Sequence, residues 1–153
     1  MDKIVRFDNE PLFKEFVSKY GMNLFLGAGF STYAYNEQDE ALPLGEAIAD
    51  KLCTVFGLNK GRYCDLGKIC RKIKKEQEDA LSSFLRDTYK VKRFDNAYSC
   101  LYKLPLRSII SINIDNLVEK VFENSESPKD LSDVSINGDL SKDNIVPIYK
   151  LHG

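Results

Sequence analysis

Apolar residues recur along this chain with two different periods, and the alternation between them marks out its elements. In "EPLFKEFVSKYG", Leu12, Phe13, Phe16, Val17 and Tyr20 fall at helical spacing, and Gly21 stands where a C-terminal cap belongs. That pattern predicts a helix of about three turns. "MNLFL" is instead a short, largely apolar run bounded by glycines, which fits a buried strand of a parallel sheet better than a helix. It runs directly into "GAGFS". After a polar loop, Leu44, Ala47, Ile48, Leu52, Val55 and Phe56 mark a second amphipathic helix introduced by Pro43. Further helical patterns cover about 61–75, 76–89 and 96–104. "RSIISIN" reads as a second strand, and "IDNLVEKVFE" continues it as a helix with Ile114, Leu117, Val118, Val121 and Phe122 on one side.

Residues 124–144 are rich in Ser, Asp and Asn and read as a loop, within which "VSINGDL" alternates up to an Asn-Gly pair and is a candidate hairpin. "NIVPIYKL" predicts a third strand, with Pro147 arguing for an edge position or a strand start. No repeat or low-complexity segment interrupts the series. Strands alternating with helices predict an α/β fold: a Rossmann-like parallel sheet flanked by helices, with a helical insertion.

Composition narrows the reading. At 153 residues and 43% hydrophobic, the chain buries one core of ordinary size, hence one domain or most of one. Its 22 basic and 23 acidic side chains nearly cancel, which removes any whole-chain attraction to nucleic acid or an anionic membrane. "MDKIVRFDNE" lacks the apolar stretch of a signal peptide, and no run approaches the roughly 20 apolar residues that span a bilayer. A cytoplasmic location is the default expectation. Cys53, Cys64, Cys70 and Cys100 include no C-x-x-C pair and have no histidine nearby, so reduced thiols are expected and no metal site. The basic stretches "GKICRKIKK" and "KVKR" read as the solvated face of a helix, and Tyr33 and Tyr35 as ordinary loop aromatics.

Three segments at strand ends carry candidate chemistry. In "NLFLGAGFST", the bare backbone of Gly27, Ala28 and Gly29, with the Ser31 hydroxyl, outlines a cradle for phosphates at the carboxyl edge of a sheet; a tight turn with no ligand explains the same residues. In "SINIDNLVE", Asn113 and Asp115 emerge where open α/β sheets bind ligands, though helix capping accounts for both residue types. "YKLHG" places His152, the single histidine, after a strand and before a glycine, at the sheet edge, where an imidazole serves as a neutral-pH base.

The order "GAGFS", "INID", "KLHG" resembles the sirtuin superfamily, and within it the sirtuin-like domains of bacterial antiphage defence proteins. The resemblance runs from residue 23 to 153. It implies that Gly27, Ala28, Gly29 and Ser31 contact the phosphates of NAD, that Asn113 and Asp115 border the nicotinamide and its ribose, and that His152 is the catalytic base. Departures from the family's protein deacylases favour the defence branch. No Gly-Ile-Pro-x-Phe-Arg segment follows the glycine loop, where "YAYNEQDEALPLGE" stands instead, and Asn113 and His152 lie farther apart than in a typical deacylase. Gly45 occupies a position where the branch commonly has a tryptophan.

The chemistry implied is hydrolysis of the nicotinamide glycosidic bond of NAD, with His152 as base and Asn113 positioning the water or ribose. A protein deacylase and a catalytically inactive nucleotide-binding scaffold are the alternatives. The resemblance further implies that residues 1–153 are the N-terminal part of a longer NAD-binding catalytic domain with its sheet incomplete here. Further strands and a sensor or oligomerisation region are then expected after 153. A homo-oligomer formed through those regions and a phage-derived trigger protein are the expected partners besides NAD.

Overall fold

The first helix, α1 (Glu10–Tyr20), stops where glycine lets the chain turn left-handed. Gly21 has φ +68°, and its N–H donates to Val17 O at 2.8 Å. A Cβ there would also lie 3.1 Å from Pro105 O, so the turn needs glycine twice over. The computed structural model describes residues 10–59, 65–123, 130–133 and 145–151, and the candidate hairpin "VSINGDL" lies outside them.

Strand β1 (Met22–Leu26) leads through a 3₁₀ turn (Ala28–Ser31) to β2 (Ala34–Asn36), and helices α2 (Gly45–Val55) and α3 (Leu66–Tyr89) follow. The chain continues through β3 (Val91–Phe94), a 3₁₀ segment (Asn96–Lys103), β4 (Leu106–Ser111), α4 (Leu117–Phe122), β5 (Asp130–Asp133) and β6 (Ile145–Lys150). Four strands form one parallel sheet in the order β1-β4-β6-β5, and β2 and β3 form a separate antiparallel ribbon. The architecture is therefore α/β and Rossmann-like, with the α2–α3 pair inserted between the two strands of the ribbon.

The parallel sheet buries one face. Leu26, Ile109, Val146 and Ile148 pack with Leu117, Val118, Val121 and Phe122 of α4 and with Leu101 and Tyr102 of the second 3₁₀ segment. On the opposite face Phe25 and Tyr149 are exposed. The insertion has its own core, in which Ile48, Leu52 and Cys53 of α2 meet Ile69, Ile73 and Leu81 of α3.

Several expectations change on this scaffold. The division expected between about 61–75 and 76–89 is kept, since α3 is two helices meeting at a kink at Gln77 (φ −148°, ψ 55°), but the described helix begins at Leu66. "KVKR" is the start of β3, not a helix face, because Val91 must turn inward while Lys92 and Arg93 reach out to Asp39 at 2.8 and 2.9 Å. The loop after the glycines contains β2, anchored by the buried Asn36, whose Oδ1 accepts from the N–H groups of Gln38 and Glu40 at 3.0 Å each. Within the stretch read as loop, Asp130–Asp133 forms β5.

Pro147 is neither at an edge strand nor at a strand start, since β6 lies between β4 and β5. The ladders on its two sides are staggered: β5 pairs with Ile145 to Ile148, whereas β4 pairs only from Ile148 onward. Pro147 thus falls where β6 is paired on one side alone, and its missing N–H breaks no ladder with β4. Ile114 precedes α4 and is exposed rather than part of its buried side, and residues 96–103 are 3₁₀ rather than α-helical.

Candidate active site

Register brings the ends of three strands together. Leu26 is level with Ser111, and Ser111 with Lys150, so β1, β4 and β6 end side by side. The ladder runs one step further on each side: Ile112 N–H donates to Leu26 O at 3.1 Å, and Leu151 N–H donates to Ser111 O at 2.9 Å. Gly27 and Asn113 therefore follow adjacent strand ends at the carboxyl edge of the sheet, where open α/β folds place ligands. The described chain reaches Leu151 on β6; His152 lies outside the described residues.

At this edge the polar side chains point to one another. Asn113 Nδ2 donates to Gly27 O and to Ser31 Oγ, both at 3.1 Å. Ser31 Oγ donates in turn to Asp115 Oδ2 at 2.7 Å. The other oxygen, Asp115 Oδ1, accepts from Leu117 N–H at 3.1 Å. Ser31, Asn113 and Asp115 are all buried. Because Gly27 O can only accept, the orientation of the Asn113 amide is fixed, and the donor chain runs from Asn113 through Ser31 to Asp115.

Two buried acceptors at this corner are left over, Asn113 Oδ1 and Glu119 Oε2. Asn113 Oδ1 has no hydrogen-bond partner among the described residues. Such an atom destabilises a fold by about 1–3 kcal/mol unless water or a ligand satisfies it, so its retention calls for an explanation at the site itself. Asn113 lines a cleft of about 240 Å³, together with Ala28, Ser31 and Asp115. Leu42, Pro43, Leu44 and Gly45 line the same cleft, which places the proline-bearing loop against the motif residues. Tyr89 fastens that loop: its hydroxyl donates to Pro43 O at 2.8 Å. Burial first, and the Asp115 charge second, push the Tyr89 phenol up to about 12, so it stays protonated and a donor at neutral pH.

The glycine loop divides between two cavities. Ala28 and Ser31 face the Asn113 cleft, whereas Gly29 lines a separate cavity of about 500 Å³ with Phe30, Tyr33, Asp95, Tyr98 and Leu101. Gly27 joins the site through its carbonyl. Neither Gly27 nor Gly29 has a positive φ, and a Cβ would meet nothing closer than 3.8 Å at Gly27 and nothing within 4 Å at Gly29. Neither backbone strain nor packing demands glycine at these two positions. Tyr33 is exposed at the second cavity, and Tyr35 stacks under Arg93, 3.6 Å from its ring centroid. Neither tyrosine lines the Asn113 cleft.

One Asp115 oxygen accepts from the first N–H of α4, in keeping with the capping role weighed for it, and the other holds Ser31. Sequence reasoning missed Lys150 and Glu119 as parts of this corner. Lys150 Nζ donates to Asp115 O at 2.6 Å and to Glu119 Oε1 at 2.8 Å, tying the end of β6 to the start of α4. The available signal was their presence inside the motif-bearing segments "NLVE" and "YKLHG". Among the described residues no group of His, Cys, Asp and Glu could hold a metal, and no helix is long and apolar enough to cross a membrane. No family model matches the chain, and no curated protein is significantly similar to it.

Proposed function

We propose that the cleft bordered by Ala28, Ser31, Asn113 and Asp115 takes the nicotinamide end of NAD and that the protein hydrolyses the nicotinamide glycosidic bond. The observation that carries this reading is the buried Asn113 Oδ1, an acceptor with no partner among the described residues, in a cleft where the Ser31, Asp115 and Tyr89 side chains are already paired. An acceptor of that kind suits a ribose hydroxyl, a carboxamide N–H or a water molecule. At about 240 Å³ the cleft is smaller than the roughly 300–1,000 Å³ typical of whole drug-sized ligands, which fits the ring and ribose of a dinucleotide rather than its full length.

In this reading water attacks the anomeric carbon, the carbon–nitrogen bond breaks, and nicotinamide leaves neutral with the bonding pair. The proton lost by the water passes to His152 and then to solvent. Asn113 holds the water or the ribose in line, and Ser31 and Asp115 hold Asn113. The resemblance of "GAGFS", "INID" and "KLHG" to the sirtuin-like defence proteins supports the same chemistry and an effector role in antiphage defence. Incubating the intact protein with NAD, with and without an acetylated peptide, and measuring nicotinamide release tests it. Peptide-independent release is the expected result; release only with peptide makes it a deacylase.

A second reading rests on a different observation. Both carboxylate oxygens of Asp115 and both directions of the Ser31 hydroxyl are engaged within the protein, as a structural keystone requires. NAD binding without nicotinamide release would make the chain a nucleotide-binding scaffold.

A further inference from the structure

Beside the Asn113 cleft, and distinct from the Gly29 cavity, lies a third cavity, of about 490 Å³, with a different chemical character. Leu85, Tyr89 and Ile114 give it apolar walls, and Arg86 and Lys90, from the end of α3, bring two cations to it. Ser82 and Asn116 complete the lining. Tyr89 and Ile114 also line the Asn113 cleft, so the two cavities share a wall. Cations at a helix C-terminus complement its dipole, which explains the residue types but not a concave volume between them. Arg86 is exposed and makes no ion pair among the described residues. Lys90 pairs with Glu37 at 3.2 Å, with both side chains about half exposed at 57% and 45%, an arrangement that contributes little in water and yields readily to a better anion.

We propose that this cavity is a second small-molecule site, for an aromatic anion of mononucleotide size. A guanidinium offers forked donors that match phosphate or carboxylate oxygens, and Lys90 adds a point charge beside it. The Tyr89 ring with Leu85 and Ile114 provides apolar surface for a flat body. The volume falls within the range of ordinary ligand pockets, about 300–1,000 Å³. The inference does not depend on NAD hydrolysis, because it rests on residues outside the Ser31–Asn113–Asp115 constellation.

Calorimetric titration of the intact protein with AMP, adenosine and inorganic phosphate tests it. AMP binds, and adenosine and phosphate bind at least tenfold more weakly, because each supplies only half of the recognition. Arg86→Glu and Lys90→Ala each weaken AMP at least tenfold and threefold respectively, whereas Asn113→Ala leaves it unchanged. Both substituted side chains are exposed, and thermal melts confirm that the variants are folded. Absence of AMP binding overturns the proposal, as does affinity indifferent to Arg86→Glu. AMP affinity lowered as much by Asn113→Ala as by Arg86→Glu places the nucleotide in the neighbouring cleft and overturns it too.

Discussion

The carboxyl edge of the parallel sheet and the α2–α3 insertion are built on opposite principles. The insertion buries Ile48, Leu52, Ile69, Ile73 and Leu81 and leaves its charges outside, where Lys72 pairs with Glu76 and Lys74 with Glu78 one turn apart along α3. Such exposed pairs add a few tenths of a kcal/mol each, and the apolar contacts carry the stability. At the sheet edge the buried side chains are Ser31, Ser111, Asn113 and Asp115, joined by hydrogen bonds and flanked by a Lys150–Glu119 pair. Apolar groups of the same shape would fill that space without leaving an acceptor unsatisfied. A chain that builds an ordinary apolar core in one region and a polar one in another has a local reason for the second, and such places are where function departs from the rules of folding.

The sharpest way to test the contrast is at the proposed chemistry. In the intact protein, His152→Ala should lower nicotinamide release by about 10² to 10⁴, the usual range for loss of a general base, while NAD still binds. Asn113→Ala should fall comparably. The double variant should be little worse than either single one, because groups acting on one nucleophile are not additive. Near-wild-type turnover by His152→Ala would leave the scaffold reading as the better account.

Next in size comes a matched pair of destabilising changes. Ile69→Ala in the insertion should lower stability by about 2–5 kcal/mol through lost contacts and a cavity. Asp115→Ala strips the Ser31 hydroxyl and the Leu117 N–H of their partner and should cost on the order of 3 kcal/mol. Urea unfolding compares the two, and nicotinamide release per folded molecule separates them: only Asp115→Ala should lose activity. Equal activity in both would show that the polar edge is structural.

The contrast also governs what could be read from the residues alone. Strands β1, β4 and β6 and helices α1 and α2 announce themselves because their apolar residues recur with one clean period, even though α1 buries none of its own. β5 does not: "DLSD" offers a single apolar residue, and it becomes a strand only because β6 lies beside it. The β2–β3 ribbon is equally silent, since its strands are short and the whole insertion separates them. At the site, the motif residues are legible as strand ends, but the Ser31–Asp115 bond joins positions 84 apart and depends on a register no local pattern encodes. Lys150 looked like a strand residue and proves to be the tie between β6 and α4.

A smaller effect tests how the insertion holds the loop that lines the cleft. Tyr89 ends α3 and bonds Pro43 beside the cleft, with its phenol raised from 10.0 to about 12. In the unfolded chain the phenol ionises first, near pH 10, so between pH 10 and about 12 the unfolded state holds fewer protons and stability falls as pH rises. Below pH 10 the contribution is fully present. Tyr89→Phe should lose about 1 kcal/mol at neutral pH with the hydrogen bond, and should show a shallower fall of unfolding free energy across that alkaline window. An unchanged alkaline slope would remove Tyr89 as the fastening.

The smallest expected change in stability is at Gly29, and it bears directly on why glycine stands there. Its φ is not in the left-handed region, and an added Cβ meets nothing within 4 Å, so Gly29→Ala should fold as well as the parent or gain about 0.4–1 kcal/mol from a less flexible unfolded chain. If the glycine loop is bare so that a dinucleotide can approach its backbone, the same substitution should weaken NAD binding, and Gly29→Val should weaken it further. Thermal unfolding and NAD titration on the same samples read the two effects separately. Because Gly29 faces the aromatic cavity beside Phe30 and Tyr98 rather than the Asn113 cleft, its effect should fall on affinity and leave the rate at saturating NAD unchanged. Undiminished affinity in a folded Gly29→Val protein would mean that the loop is a turn and that only Ala28 and Ser31, on the cleft side, are left to meet the ligand.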